Sequence, residues 1–174
     1  MLDIRRGSRD AFETLFGRYR EPIWRFFRRR TADAARAEEL AQDTFVAILE
    51  GAKRYDQRGT ARAFLFGVAY NVLNADRRRA AFRRTESLDV DPIADHASPD
   101  EAIWVRDALL ALDDSDREIL MLREYEQLSY QEIADVRGTP LNTVRSQLLR
   151  ARATLKTALE STTPQAMRTT HARR

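Results

Sequence analysis

At 174 residues, with 43% hydrophobic and 33% charged side chains, the chain has enough apolar material for one packed domain or two small ones. It has no cysteine, which excludes disulfides, thiolate metal sites and cysteine nucleophiles together, and its two histidines, His96 and His171, fall in no metal-ligand or triad spacing. The formal charge is only +3 but it is segregated: 17 Lys/Arg against 11 Asp/Glu before Arg83, 5 against 13 over 83–128, and 8 against 3 from Ser129 on, so two basic segments that suit a polyanion flank an acidic middle.

Helical periodicity runs along almost the whole chain, and no convincing strand pattern occurs. Ser8 caps a first helix in which Phe12, Leu15, Phe16, Tyr19, Ile23, Phe26 and Phe27 recur at helical spacing. Pro22 is expected to kink or split it, because proline removes a helical N–H and its ring clashes with the preceding turn. Asp33 caps a second helix with Leu40, Phe45, Ile48 and Leu49 on its apolar side and Gly51 near its end. The loop AKRYDQRGT is basic and aromatic. Gly59 or Thr60 opens a third helix running to about Arg84, with Ala61, Phe64, Leu65, Val68 and Val72 inward.

Composition breaks at Thr85–Pro99, where Asp89, Asp91, Pro92, Asp95, Ser98 and Pro99 leave no periodicity, the pattern of a flexible linker. Asp100 caps EAIWVRDALLAL, Asp113–Asp116 forms a turn and cap, and REILMLREY makes a further helix. Ser129 with Glu132 three residues on is a capping box. Gly138 suits a left-handed helix end, Thr139 a second N-cap, and Pro140 the first helical position. Two helices joined so tightly cross steeply, which is the helix-turn-helix geometry. In the second of them Leu141, Val144, Leu148, Ala151 and Leu155 share one side and should pack on Ile133. Asn142, Thr143, Ser146 and Arg150 share the other, with Arg145, Arg152 and Lys156 along its flank. A polar face alone is what any solvated amphipathic helix presents. With cap, glycine and proline in register, it points to base edges and phosphates of duplex DNA. The tail STTPQAMRTTHARR is polar, basic and expected to be disordered.

The third helix carries a second face of interest. Tyr70, Asn74 and Arg77 stand away from the expected core side with Asn71 and Arg78 nearby, and Lys53, Arg54, Tyr55, Arg58 and Arg62 precede them. Basic residues interleaved with aromatics suit a single strand, whose backbone follows the charges and whose bases stack on the rings. The competing reading is a core Phe64 and Phe66 with a solvated Arg77–Arg79 helix end. On the second helix Glu38, Glu39, Gln42 and Asp43 make an acidic surface to which the residues alone assign nothing. Neither a phosphate-cradling glycine loop nor a paired acid and base stands out, so no catalysis, cofactor, metal or small-molecule substrate is expected. No apolar run approaches the roughly 20 residues of a membrane span, and MLDIRRGSRD lacks a signal-peptide core, so the expectation is a cytoplasmic protein without membrane insertion.

From about Asp10 to Leu159, AEELAQDTF, FLFGVAYNVLNADRRR and LSYQEIADVRGTPLNTVRSQLLRAR, in that order, resemble the signatures of bacterial RNA polymerase sigma factors of the extracytoplasmic-function (ECF) group. The resemblance implies an all-α fold of two small helical domains joined by a flexible linker, the second containing the helix-turn-helix. Its bounds would be 1–84 for core binding and minus-10 recognition and melting, 85–100 for the linker, 101–160 for minus-35 recognition and 161–174 for the tail. It implies that Glu39, Gln42 and Asp43 contact the clamp coiled coil of the largest subunit of core RNA polymerase. Arg54, Tyr55, Arg58, Arg62, Tyr70, Asn71, Asn74, Arg77 and Arg78 would then meet the unpaired minus-10 strand. Asn142, Thr143, Arg145, Ser146 and Arg150 would meet the minus-35 duplex of promoter DNA. An anti-sigma factor is a further expected partner. Phe64 stands where the family often has Trp, Tyr70 where Arg is common, and Gln147 and Leu149 where Arg and His are frequent, departures that bear on which promoter is read. Two other readings stay open on the residues: a stand-alone regulator using only the helix-turn-helix, and a sigma-like decoy that sequesters another factor.

Overall fold

The computed structural model describes residues 4, 6, 8–31, 33–52, 59–86, 105 and 107–162, and among them the regular elements are helices with no strand. They form two compact units, the first holding α1 (Arg9–Arg28), α2 (Ala34–Gly51) and α3 (Ala61–Glu86), the second α4 (Asp114–Glu124), most of α5 (Tyr130–Arg137) and α6 (Leu141–Thr162).

In the first unit each helix begins at a side chain that takes an orphan backbone N–H. Ser8 Oγ accepts from the Ala11 amide at 3.3 Å, an Asp33 oxygen from Ala35 at 3.0 Å, and Thr60 Oγ1 from Ala63 at 3.1 Å. Thr60, rather than Gly59, is therefore the cap of α3. The three helices pack on one another as a bundle. Its centre is Ile23, Phe26 and Phe27 of α1, Leu40 and Ile48 of α2, and Leu65, Phe66 and Leu73 of α3, all fully buried. Each such side chain stabilises the bundle by about 1.5–3 kcal/mol on leaving water. Phe26 meets Phe27 edge-on at 5.1 Å between centroids and Phe66 at 5.8 Å, so aromatic geometry fixes how α1 meets α3.

Three expectations for this unit need correcting. Of the kink or split expected at Pro22, the split does not occur: helix α1 runs unbroken from Arg9 to Arg28. Ile23, Phe26 and Phe27 follow the proline directly, and their burial holds the helix across the lost hydrogen bond. The core stripe of α3 is Ala63, Leu65, Phe66, Ala69 and Leu73, rotated from the expected one, so that Ala61, Phe64, Val68 and Val72 are only half-buried. Leu49 is 47% exposed, because Leu40, Ala41, Thr44, Phe45 and Ile48 already fill the inward face of α2. The buried Thr44 hydroxyl is satisfied by donating to the Leu40 carbonyl at 2.8 Å.

In the second unit Asp113 caps α4, its carboxylate accepting from the Asp116 amide at 2.8 Å. Arg117 then donates to the carbonyls of Leu109, Leu110 and Leu112 at 2.9, 3.3 and 2.9 Å. One guanidinium thus pairs several carbonyls that the end of the preceding helical turn leaves open. Helix α4 packs on α6, and Ile119, Leu122, Leu128, Ile133, Val144, Leu148 and Ala151 close the core. Val144, Leu148 and Ala151 are buried as expected, while Leu141 and Leu155 are half-buried at the rim. The turn after α4 passes through Gln127 at φ 53°, left-handed backbone that an L side chain rarely adopts. The linker over 87–99, the cap at Asp100 and the tail beyond Thr162 lie outside the described residues.

Candidate nucleic-acid interface

The helix-turn-helix is assembled from local hydrogen bonds. The Ser129 amide donates to a Glu132 oxygen at 2.8 Å and the Glu132 amide to Ser129 Oγ at 3.2 Å, the reciprocal pairing of a capping box. At the far end of α5 the Thr139 amide donates back to the Ala134 carbonyl at 3.0 Å while Gly138 adopts φ 62°. That is the closing pattern in which glycine carries the left-handed residue. The sequence placed an N-cap at Thr139 and helical position one at Pro140, and both shift by one. Thr143 and Val144 donate to the Pro140 carbonyl at 2.9 and 3.2 Å, so Pro140 itself is the cap, and among the described residues the Thr139 hydroxyl is buried without a hydrogen-bond partner.

Helix α6 then presents Asn142, Thr143, Arg145, Ser146 and Arg150 together, all exposed. Arg145 donates to Asn142 Oδ1 at 3.2 Å and Ser146 to the Thr143 carbonyl at 3.0 Å, which fixes their rotamers along the helix. Arg150 pairs with Asp116 at 3.5 Å. Arg152 on the flank is committed to Glu124 at 2.8 Å and the Tyr130 hydroxyl at 3.1 Å, and these two bonds hold its guanidinium more firmly protonated than usual. These two bonds tie α6 to α4 and α5. Leu149, noted in the sequence only as a departure from the family pattern and not among the expected duplex contacts, is 74% exposed within this polar face. Its position between Asn142, Arg145 and Ser146 on the helix wheel was the available signal.

In the first unit Asn71, Arg77 and Arg78 are exposed along α3, with Tyr70 and Asn74 half-buried beside them, so helical spacing gathers five of the expected single-strand residues on one flank. Arg62 is half-buried with its guanidinium 5.3 Å from the Phe66 ring centroid, a cation–π contact that anchors it to the core. Arg54, Tyr55 and Arg58 lie outside the described residues. Phe82, 69% exposed among Arg78, Arg79 and Arg83, extends the basic and aromatic character of the helix.

On α2 Glu39, Gln42 and Asp43 are exposed on the outer face. Arg36 binds Asp76 of α3 and Glu39 of its own helix, and those two carboxylates, Asp76 foremost, hold the guanidinium more firmly protonated than usual. Asp43, Val46 and Glu50 line a groove whose other wall is Val68, Asn71 and Arg79 of α3. Val46 and Leu49 make the outer face partly apolar, which the acidic pattern did not announce. No described helix is long and apolar enough to cross a membrane.

Two sequence profiles match the chain: sigma-70 region 2 over residues 15–83 and sigma-70 region 4 over residues 102–155. The chain is 33% identical over 158 residues to RNA polymerase sigma factor YlaC of Bacillus subtilis, covering 85% of this chain and 91% of that one. It is 31% identical over 154 residues to ECF RNA polymerase sigma factor SigL of Mycobacterium tuberculosis, covering 84% and 87%. Among solved structures it is similar to CnrH in complex with the cytosolic domain of CnrY, with a TM-score of 0.70, 27% identity and coverage of 92% and 94%. The sigma factor RpoE, in complex with the anti-sigma factor NepR from Bartonella quintana, shares the fold at a TM-score of 0.75 and 21% identity, covering 86% of this chain and 97% of that one.

Proposed function

From the premise that this chain belongs to the ECF sigma factors of RNA polymerase, we propose how its residues divide the work of opening a promoter. As a sigma factor it binds core RNA polymerase and promoter DNA and directs promoter-specific initiation of transcription. Residues 1–84 act as sigma domain two and 101–160 as sigma domain four, with 85–100 between them. The protein makes no covalent bond, and it works in the cytoplasm where the polymerase is.

Asn142, Thr143, Arg145, Ser146 and Arg150 meet the minus-35 duplex in the major groove. A well-placed bidentate contact there discriminates by about 1–3 kcal/mol against a wrong base. Tyr70, Asn71, Asn74, Arg77 and Arg78, together with Arg54, Tyr55, Arg58 and Arg62, hold the unpaired minus-10 strand. Opening a base-pair step costs about 1.4 kcal/mol, and stacking one base on an aromatic ring returns about 1–3 kcal/mol. Capturing a few bases is therefore enough to offset the opening of their own pairs. Glu39, Gln42 and Asp43 face the clamp coiled coil of the polymerase, beside the apolar Val46 and Leu49.

The observation that carries this assignment is the pairing of two unlike faces: a polar one on α6 bounded by short caps, and a basic-aromatic one on α3. Reconstitution with core polymerase on promoters of the host genome tests it. Initiation that depends on the chain and is lost in an R145A/R150A variant supports the reading, and a purified chain that never associates with core defeats it. An anti-sigma partner is also part of the proposal, since RpoE of similar fold was solved with the anti-sigma factor NepR and CnrH with the cytosolic domain of CnrY. Co-purification from the native host tests that part.

A further inference from the structure

The polar face of α6 has an apolar side chain at its centre. Leu149 is 74% exposed, the most of any large apolar side chain among the described residues. It stands seven residues after Asn142, four after Arg145 and three after Ser146, spacings that place all four on one stripe of the helix. The core stripe of Val144, Leu148 and Ala151 lies on another side, so Leu149 is not a frayed edge of the core. A lone exposed leucine is ordinary on a protein surface. This one is ringed by polar side chains already held along the helix, with Arg145 donating to Asn142 and Ser146 donating to the Thr143 carbonyl.

We propose that Leu149 reads the C5-methyl group of a thymine in the minus-35 duplex, a contact that rests on the assignment of α6 to that duplex. The face around it carries Arg145, Arg150 and Lys156, which match phosphates and oppose burial against an apolar protein surface. Among the unmodified bases, the thymine methyl is the apolar group that the major groove exposes. Against the edges of the other bases an isobutyl group covers donors and acceptors without replacing their hydrogen bonds, which is unfavourable. The polar neighbours set the register, and Leu149 adds a discrimination they cannot make, between a pyrimidine with the methyl and one without.

Holoenzyme assembled with the full chain is first used to select a minus-35 sequence from a random duplex library. The selected duplex is then resynthesised with one thymine at a time replaced by uracil, which lacks only the methyl group. At one position uracil is expected to weaken holoenzyme binding about fourfold, the worth of one buried methyl. Leu149→Ala should lose about as much on the thymine duplex, and uracil should add nothing further to that variant. Leu149→Met, which restores apolar reach, should recover the preference. Uracil effects that are the same in L149A as in the parent chain overturn the contact. So does a Leu149 dependence that appears only at a 5-methylated cytosine, or an L149A variant that weakens holoenzyme assembly while leaving uracil discrimination intact. A holoenzyme that selects no sequence overturns the duplex reading of α6 itself, and the contact with it.

Discussion

Arg150 Nε lies 3.5 Å from Asp116 Oδ2, so a guanidinium exposed on α6 is tied to a carboxylate buried in the first turn of α4. The pair has two consequences. It orients an arginine assigned to the promoter, and it compensates a buried negative charge. Arg150→Ala is therefore expected to lower promoter binding and also to destabilise the second unit. Because most of the arginine is in water, the stability loss should be about 1 kcal/mol rather than the several expected of a fully buried pair. Arg145→Ala should lower promoter binding alone, since its bond to Asn142 is on the surface. Adding Asp116→Asn to Arg150→Ala should return stability without returning binding. Urea unfolding beside holoenzyme binding on one promoter reads both, and a double-mutant cycle isolates the coupling.

Gln127 and Gly138 adopt the same left-handed backbone, φ 53° and 62°, at the turns after α4 and α5. Only one of the two is glycine. A side chain in that conformation costs about 1–2 kcal/mol, and the extra freedom glycine gives the unfolded chain takes back about 0.4–1 kcal/mol. Gln127→Gly should thus stabilise the second unit by about 0.5–1 kcal/mol. Gly138→Ala should destabilise it by about 1 kcal/mol through the backbone alone, because a Cβ there meets no atom within 4 Å. Denaturant midpoints at unchanged m-value decide both.

Periodicity and capping chemistry made the helices legible: Ser8, Asp33, Thr60, Asp113 and the Ser129–Glu132 box all sit where a side-chain oxygen reaches a free amide. Rotation about a helix axis was less legible. Helix α3 is apolar over so much of its surface that Phe64 and Phe66 compete for the core, and only packing against Phe26 selects Phe66. Residues tied by long-range pairs were not legible at all. Nothing local links Arg36 to Asp76, Arg152 to Glu124 or Arg150 to Asp116, and such pairs tie one helix to another through side chains far apart in sequence. Leu149 was seen as a departure from the family pattern, but its exposure needed the three-dimensional chain.

The Arg36–Asp76 pair joins the helix assigned to polymerase with the helix assigned to the unpaired strand. Asp76 is mostly shielded from water, and Arg36 is also held by Glu39. Asp76→Ala should cost the first unit about 1–2 kcal/mol, with little dependence on salt. Arg9→Ala, which breaks the fully solvated pair with Glu13, should change stability by less than about 0.5 kcal/mol. If the α2–α3 tie matters to assembly, D76A also weakens core binding while leaving duplex recognition by the second unit alone. Unfolding curves at two salt concentrations and a core-association assay measure the two effects.

The two assigned faces predict different failures in one pathway. Asn71, Arg77 and Arg78 are exposed on α3, away from the duplex-reading helix in sequence and in chemistry. A triple alanine variant at these positions should still recruit holoenzyme to promoter duplex but stall before strand opening. On a template already mismatched across the minus-10 element it should recover most of its activity, because the melting cost no longer falls on captured bases. The R145A/R150A variant should show the reverse pattern, weak recruitment to duplex and no rescue by the mismatch when the minus-35 element is the main anchor. Each arginine that meets a phosphate should also reduce the salt dependence of binding by about 0.7–0.9 in log–log slope, the smaller value for single strands. Permanganate reactivity of unpaired thymines reports opening, and salt-titrated binding reports recruitment. Equal loss of both steps in both variants would remove the division of labour between α3 and α6.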